Sequence, residues 1–567
     1  MPELAPVVFL VVGVVLVNGV AGRIRVPAPI LLVLVGIAVS FIPGVPEYQV
    51  NPEIVLSVLI PPLLFAAATE SSVIAIRTLL RPITQLAVGL VLVTALAVAV
   101  VVYAIVPDMP FAAALALGAI VAPPDAVAAV AVARRAGLPR KVVTVLEGES
   151  LFNDATSLVL LRVAIVGISL GTLSVGDAVV EFAWATAGGL IVGVALGIVL
   201  SAARRYTRSS LATTALSLVT PFLAYQVAEI LQASGMLAVV ITGLVLGFRA
   251  PYDLQPEVRL TLRATWGAIQ YVLEGSVFAL IGLQLWGIVT APDIGRRPVL
   301  LISAAVLITV IGIRPVWIFL TDGLGRLLRR PGMFTSWRPL AAISWAGMRG
   351  VVSLAAAQTL PLDTPYRSLL LTCTIAVILG TLVVQGLSLP AVIRSLRLPG
   401  DPDSDLRRER EAARTEAARA INDAVEREIA AGTLPPEQAL RMREWVSFRD
   451  SRRMTDRRDT AADVVTTGTD GGKSDRTGDG AADGRVARWN RDMVTIERDV
   501  FVRMRNEGRL SEEVLREVQY GLDLEEALLD QRIEDANGHL DQLHVGTDGP
   551  IPDAAARPDA AQGADGR

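Results

Sequence analysis

Ala122-Pro-Pro-Asp-Ala-Val-Ala128 and Glu147-Gly-Glu-Ser-Leu-Phe-Asn-Asp-Ala-Thr156 decide how this chain is read. Both stretches set carboxylates inside long apolar runs, and only a basic loop with Arg134, Arg135, Arg140 and Lys141 separates them. An acid at membrane depth costs roughly 2.5–3.5 kcal/mol or more, so its presence there points to function. A buried carboxylate without a fixed partner must hold either a proton or a cation.

Working outward, the 567 residues are 52% hydrophobic, but the apolar character is unevenly spread. Residues 1–395 carry long apolar runs with few charges, whereas 396–567 are rich in Arg, Asp, Glu and Gly. Crossing a ~30 Å hydrocarbon core takes about 20 apolar residues in a helix. Spans are read near 5–22, 27–42, 53–69, 83–106, 111–133, 142–169, 177–203, 210–231, 234–248, 266–290, 298–320, 339–360 and 368–393. The fold class is therefore an all-α polytopic membrane domain of about 13 helices over 1–395, with a soluble tail. Continuous hydrophobicity without alternation argues against a β-barrel.

Loop charge sets the expected orientation. One set of alternate loops holds Arg23, Arg25, Arg77, Arg81, Arg134, Arg135, Arg140, Lys141, Arg204, Arg205, Arg208, Arg249, Arg259, Arg263, Arg326, Arg329, Arg330 and Arg338. The intervening loops hold only Arg296, Arg297 and Arg367. This bias places the N-terminus outside and the tail in the cytoplasm. The start, Met-Pro-Glu-Leu, lacks the basic region of a signal peptide, so the first span is read as a retained helix.

Other chemistries are excluded by residue type. Cys373 is the only cysteine, which removes an intramolecular disulfide or thiolate cluster. His539 and His544 are the only histidines and lie in the tail, so a histidine metal site or relay in the membrane is ruled out. No Gly-x-x-x-x-Gly-Lys-Ser/Thr run is present, and no Gly-x-Gly-Asp motif lies in a span, which argues against an ATP-driven pump or an intramembrane aspartyl hydrolase. No enzyme, cofactor or nucleic-acid role is expected, and the net charge of −3 says nothing of partners.

The tail reads as helical segments at 396–455 and 485–545, a disordered linker at 456–484 and a disordered end at 546–567. Residues 403–431 alternate acids, bases and Ala at helical spacing, and a second helix is expected near 436–450. The linker's Asp and Gly fail the EF-hand template. Trp489, Met493, Ile496 and Val500 mark one amphipathic helix, and Ser511 opens another. Such a tail regulates, dimerises, binds a partner or is a passive extension.

In the fifth span, Pro123 and Pro124 remove backbone donors and should break the helix just ahead of Asp125. Carbonyls freed there, that of Pro124 included, become candidate cation ligands where they line a cavity. In the sixth, Glu147, Ser150, Asp154 and Ser157 share one helical face, with Glu149, Asn153 and Thr156 beside it. Asp154 with Ser150 one turn earlier offers hard oxygens to an alkali cation. In the twelfth, Gly347 and Gly350 bracket Arg349, which predicts a second interrupted helix. Spans five and twelve run in opposite directions, and opposed broken helices signal an inverted repeat with a midplane site. Arg349 is expected to compensate Glu149 or the ends of the broken helices. Glu274 and Arg314 are deep enough to need partners and are read as structural or gating residues. Arg162 has no partner that can be named, and Glu229 is read as interfacial.

Gly118-Ala-Ile-Val-Ala-Pro-Pro-Asp-Ala-Val-Ala128, Leu146-Glu-Gly-Glu-Ser-Leu-Phe-Asn-Asp-Ala155 and Gly347-Met-Arg-Gly-Val-Val-Ser-Leu-Ala355, with Pro61-Pro-Leu-Leu-Phe65, resemble the bacterial sodium/proton antiporters of the cation/proton antiporter family. Within it they look most like the mostly electroneutral branch that includes the sodium/hydrogen exchangers. The resemblance covers roughly 5–395. It implies crossed broken helices and a homodimer built on a dimerisation domain beside a moving six-helix core. It further implies that Asp154 is the shared cation and proton site, with Ser150 and the broken backbone near Pro124 assisting as sodium ligands and Asp125 close by. Glu149 resembles the family's buried ion-pair acid, matched with Arg349 or Arg314. Asn153 stands where the electrogenic branch has a second Asp, which implies one proton per cation. One departure is Ala66, where many relatives carry an acid. A ligand from the third span is then missing, with Thr69 or water in its place.

The expected function is exchange of sodium, or another monovalent cation, for protons across the cell membrane, with both ions competing for one buried Asp. A potassium/proton antiporter and a cation channel are the alternatives.

Overall fold

The computed structural model describes residues 4–24, 28–42, 54–125, 129–130, 137–171, 175–207, 209–289, 296–329, 333–334, 336–398, 402–431 and 480–545. The expected helix near 436–450, the end at 546–567 and most of the expected linker lie outside them. The described elements are helical, without strands. Besides the short helix Val73–Thr78, they are in order α1 (Leu4–Ile24), α2 (Ala28–Ser40), α3 (Val55–Glu70), α4 (Leu80–Ile105), α5 (Phe111–Val121), α6 (Arg140–Leu170), α7 (Val175–Tyr206), α8 (Ser210–Ile230) and α9 (Gly235–Asp253). Then come α10 (Pro256–Val289), α11 (Arg296–Leu327), α12 (Trp337–Trp345), α13 (Val351–Gln358), α14 (Arg367–Leu396), α15 (Pro402–Ala430), α16 (Gly480–Asn506) and α17 (Glu512–Val545).

Among the described residues, eight helices are long and apolar enough to cross a bilayer, and Val8–Arg23, Ala28–Ser40, Val55–Glu70 and Phe111–Val121 are shorter apolar helices. Apolar side chains such as Leu300, Ile308 and Val316 on α11, and Ile191 and Ile198 on α7, face outward. Outward apolar faces along whole helices are the surface a bilayer covers. Serines begin several helices: Ser209, Ser234 and Ser336 each accept a hydrogen bond from a backbone N–H in the first turn.

The membrane helices pack as two sets. In one, α4, α5, α6, α11 and α14 pack together with the α12–α13 pair, and in the other α1, α2, α3, α7, α8, α9 and α10 pack together. Small residues allow a close contact between α4 and α5. The Ala-rich α5 brings Gly118 so close that a Cβ there would overlap the Ala95 carbonyl.

The chain forms two compact units. The first runs to Ala412 and takes in Val502–Arg516, so it includes more of the chain than the apolar spans. Within it the segment at 502–516 is held by Arg505, which donates to the Phe248 carbonyl at 3.1 Å and stacks 4.4 Å from the Phe248 ring. Asn506 donates to the Tyr252 hydroxyl at 2.7 Å, and Arg140 pairs with Glu409 at 3.1 Å. The second unit holds Ala413–Phe501 and Glu517–Arg567. There Ile421, Val425 and Met493 share an apolar cluster, and Arg498 pairs with Asp523 and Glu526. α16 starts at Gly480, inside the stretch expected to be linker, and its Trp489, Met493 and Ile496 join that cluster.

Candidate functional site

Both interrupted helices are present. α5 ends at Val121 and the backbone runs non-helically through Asp125, because Pro123 and Pro124 cannot donate to the preceding turn. α12 ends at Trp345, residues 346–350 are non-helical, and α13 starts after Gly350. The two breaks touch: the Asp125 N–H donates to the Met348 carbonyl at 2.6 Å. Gly350 permits the crossing, since a Cβ there would overlap the Asp125 carboxylate.

Arg349 sits in the crossing and is fully buried. It donates to the Val121 carbonyl at 2.9 Å, to the Ala122 carbonyl at 3.1 Å and to the Gly347 carbonyl. Its own N–H donates to Thr381 Oγ1 at 3.0 Å. The guanidinium thus satisfies carbonyls that the breaks release, the second of the two tasks considered for it. The ion pair falls to Arg314, whose terminal nitrogens meet both Glu149 oxygens at 2.5 and 2.8 Å while its Nε donates to the Ile343 carbonyl at 3.0 Å. Gly347 makes room for it, as a Cβ would lie 2.6 Å from Arg314 Cδ.

α6 delivers the polar face expected of it. Asn153 Nδ2 donates to the Pro124 carbonyl at 2.7 Å and Ser157 to the Ala119 carbonyl at 2.8 Å, which ties α6 to the broken end of α5. Asp154, 7% exposed, stands midway along α6. With Ser150 one turn before it, it faces a cavity of about 350 Å³. Pro124, Asp125, Glu147, Gly350, Ser353 and Glu274 also line this cavity. Its described lining holds five carboxylates, from Glu70, Asp125, Glu147, Asp154 and Glu274, and no Lys, Arg or His. Such a chamber focuses a potential that concentrates cations. Glu274 accepts from Gln270 at 2.6 Å across one turn of α10.

Two residues correct the reading of the third span. Thr69 does not line the cavity; its hydroxyl donates to the Ala66 carbonyl of its own helix at 2.8 Å. Glu70, which sequence reasoning passed over, does line it. It lies four residues after Ala66, and that one-turn spacing is the signal that was available. The buried Ala66 joins an apolar cluster instead. Toward the other end of α6, Arg162 finds its partner in Glu229 of α8 at 3.0 Å, the residue read as interfacial.

A bundle of membrane helices with two opposed broken helices crossing beside an acid-lined chamber is the architecture of a secondary transporter. The profile described as "Sodium/hydrogen exchanger, transmembrane" matches residues 7–395. The chain belongs to the sodium/hydrogen exchanger family, whose members exchange monovalent cations for protons. An uncharacterized Na⁺/H⁺ exchanger of Mycobacterium tuberculosis, Rv2287, is 34% identical over 93% of this chain and 96% of its own length. The Na⁺/H⁺ antiporter ApNhaP of Aphanothece halophytica is 31% identical over 74% of this chain and 78% of its own. The solved structure of the sodium proton antiporter MjNhaP1 from Methanocaldococcus jannaschii shares the fold, with a TM-score of 0.58 at 20% identity over 70% of this chain and 99% of that one.

Proposed function

We propose that this protein exchanges sodium for protons across the cell membrane, with Asp154 as the group both ions occupy in turn. The observation that carries the reading is the chamber in which Asp154 and Ser150 meet Asp125 and the broken backbone of α5. A cation entering it finds carboxylate and hydroxyl oxygens, and no fixed basic side chain among the described lining competes for them. Proton and sodium each neutralise Asp154, and an unoccupied carboxylate resists passage through low dielectric, so transit is coupled to occupancy.

Electroneutral exchange is supported by Asn153. Its amide donates to the Pro124 carbonyl, a bond that an ionised acid at this position cannot make. Of the neighbouring positions 153 and 154 on α6, only Asp154 is ionisable, and it accepts one proton or one sodium. By the loop charges the basic end of α6 is cytoplasmic, and the chamber lies on that side of Asp154. The conformation is then open to the cytoplasm, and the tail lies there too. The set of α1–α3 and α7–α10 is the part that pairs in a homodimer, and α4–α6 with α11–α14 is the part that moves.

Purified protein in vesicles tests this. Sodium addition dissipates an imposed pH gradient in the wild type, and Asp154→Asn eliminates the effect while the protein still elutes folded. Undiminished exchange by the variant would refute the role of Asp154. Parallel additions of potassium and lithium rank the cations, and electrical recording of a current without counter-ion would favour a channel.

A further inference from the structure

We propose that Ser353 is a further cation ligand, which supplies the chamber with a neutral oxygen from the second broken helix and tightens its grip on small alkali cations. This rests on the antiport reading of the same chamber but adds a ligand from the opposite wall. The Ser353 side chain is 1% exposed, its Oγ has no hydrogen-bond partner among the described residues, and the residue lines the cavity with Asp154, Asp125 and Ser150.

That lack of a partner has a local cause. Several buried hydroxyls on these helices donate to a carbonyl three or four residues earlier, as Ser344 does to Leu340 and Thr374 to Leu370, each at 2.8 Å, and Thr381 to Ile378 at 3.1 Å. For Ser353 the corresponding residues are Arg349 and Gly350, which lie in the non-helical crossing before α13 starts. The break therefore takes away the usual acceptor. A hydroxyl buried without a partner is costly, so its retention calls for a ligand. Ser353 follows Gly350 by three residues, hence by about one turn on the same face. Gly350 is the residue against which the Asp125 carboxylate rests. The oxygen therefore belongs to the wall nearest Asp125, across the chamber from α6.

A hydroxyl oxygen is a hard, uncharged donor. It replaces one water of a sodium or lithium ion without adding a charge to the Asp154 exchange, so it alters affinity and leaves the proton count unchanged. Smaller cations hold their water more tightly and lose more when a ligand is withdrawn.

The test uses the full chain, with two readouts. In vesicles, Ser353→Ala is expected to raise the sodium concentration for half-maximal pH-gradient dissipation about tenfold, with the maximal rate within about twofold of wild type. The same change is expected for lithium and a smaller one for potassium. Ser353→Thr, which keeps the hydroxyl, is expected to stay within about twofold of wild type on every measure. In detergent, the sodium-induced rise in unfolding temperature is expected to shrink for Ser353→Ala and persist for Ser353→Thr. An unaltered sodium dependence in both readouts would overturn the proposal. Should Ser353→Ala lose transport altogether, the detergent measurement decides alone. A wild type that binds sodium without moving protons counts against the antiport reading and leaves the ligand assignment standing.

Discussion

Arg314 holds Glu149 by both carboxylate oxygens, at 2.5 and 2.8 Å, with each side chain 1% exposed. The pair joins α11 to α6, and the same guanidinium reaches the last turn of α12 through the Ile343 carbonyl. It therefore braces the helix that carries Asp154 against the second broken helix.

Removing one partner leaves an uncompensated buried charge. Arg314→Met or Glu149→Leu alone should destabilise the protein by about 3–5 kcal/mol, and the double variant by much less. Thermal unfolding of the purified chains checks this. Equal losses in the single and double variants would mean that the charges are not paired in solution.

Gly350 should tolerate no side chain. Gly350→Ala would drive a Cβ into the Asp125 carboxylate and separate the crossed backbones, so cation-dependent proton flux is expected to fall at least about tenfold. Gly312→Ala on α11, where a Cβ meets nothing within 4 Å, is the control and should transport normally.

Arg349 acts through its fan of donors. Arg349→Lys keeps the charge but cannot reach the Val121, Ala122 and Gly347 carbonyls together, so it is expected to behave as a loss of function. Hydrogen exchange should show faster opening at 119–125 in that variant. Unchanged protection there would argue that the charge alone matters.

The docked segment at 502–516 should respond to acidity through Glu512. Burial raises the pKa of this carboxyl, against the opposing pull of Arg505 and Arg516. Because the docked value lies above the free one, its contribution is fully present at acid pH and is lost as pH rises through the docked value. Protease protection of this segment should therefore weaken as pH is raised above the usual carboxylate range. Glu512→Gln should flatten that dependence. An Arg505→Ala variant, which loses the Phe248 stacking and its carbonyl bond, should be cleaved at every pH.

The membrane character, the two helix breaks and the polar face of α6 were all legible in the primary structure. Each rests on chemistry local to a few residues: proline lacks a donor, glycine lacks a Cβ, and a helix repeats every 3.6 residues. The resemblance carried by residues 118–128, 146–155 and 347–355 pointed to the same family as the profile match. Pairing was not legible. Along the chain Arg349 was the first candidate for Glu149 and Arg314 the second; packing reverses that order, giving the acid to Arg314 and the broken-helix carbonyls to Arg349. Glu70 had only its one-turn spacing from Ala66 to mark it, and its place in the cavity lining follows from how α3 packs. Thr69 illustrates the converse, for its hydroxyl turns to its own helix. Ser353 has no partner among the described residues, and the chain three and four residues earlier is not helical where it crosses Asp125. Periodicity and residue type decide which groups must be buried together. Which of them meet depends on contacts between segments up to hundreds of residues apart, and those exist only once the helices have packed.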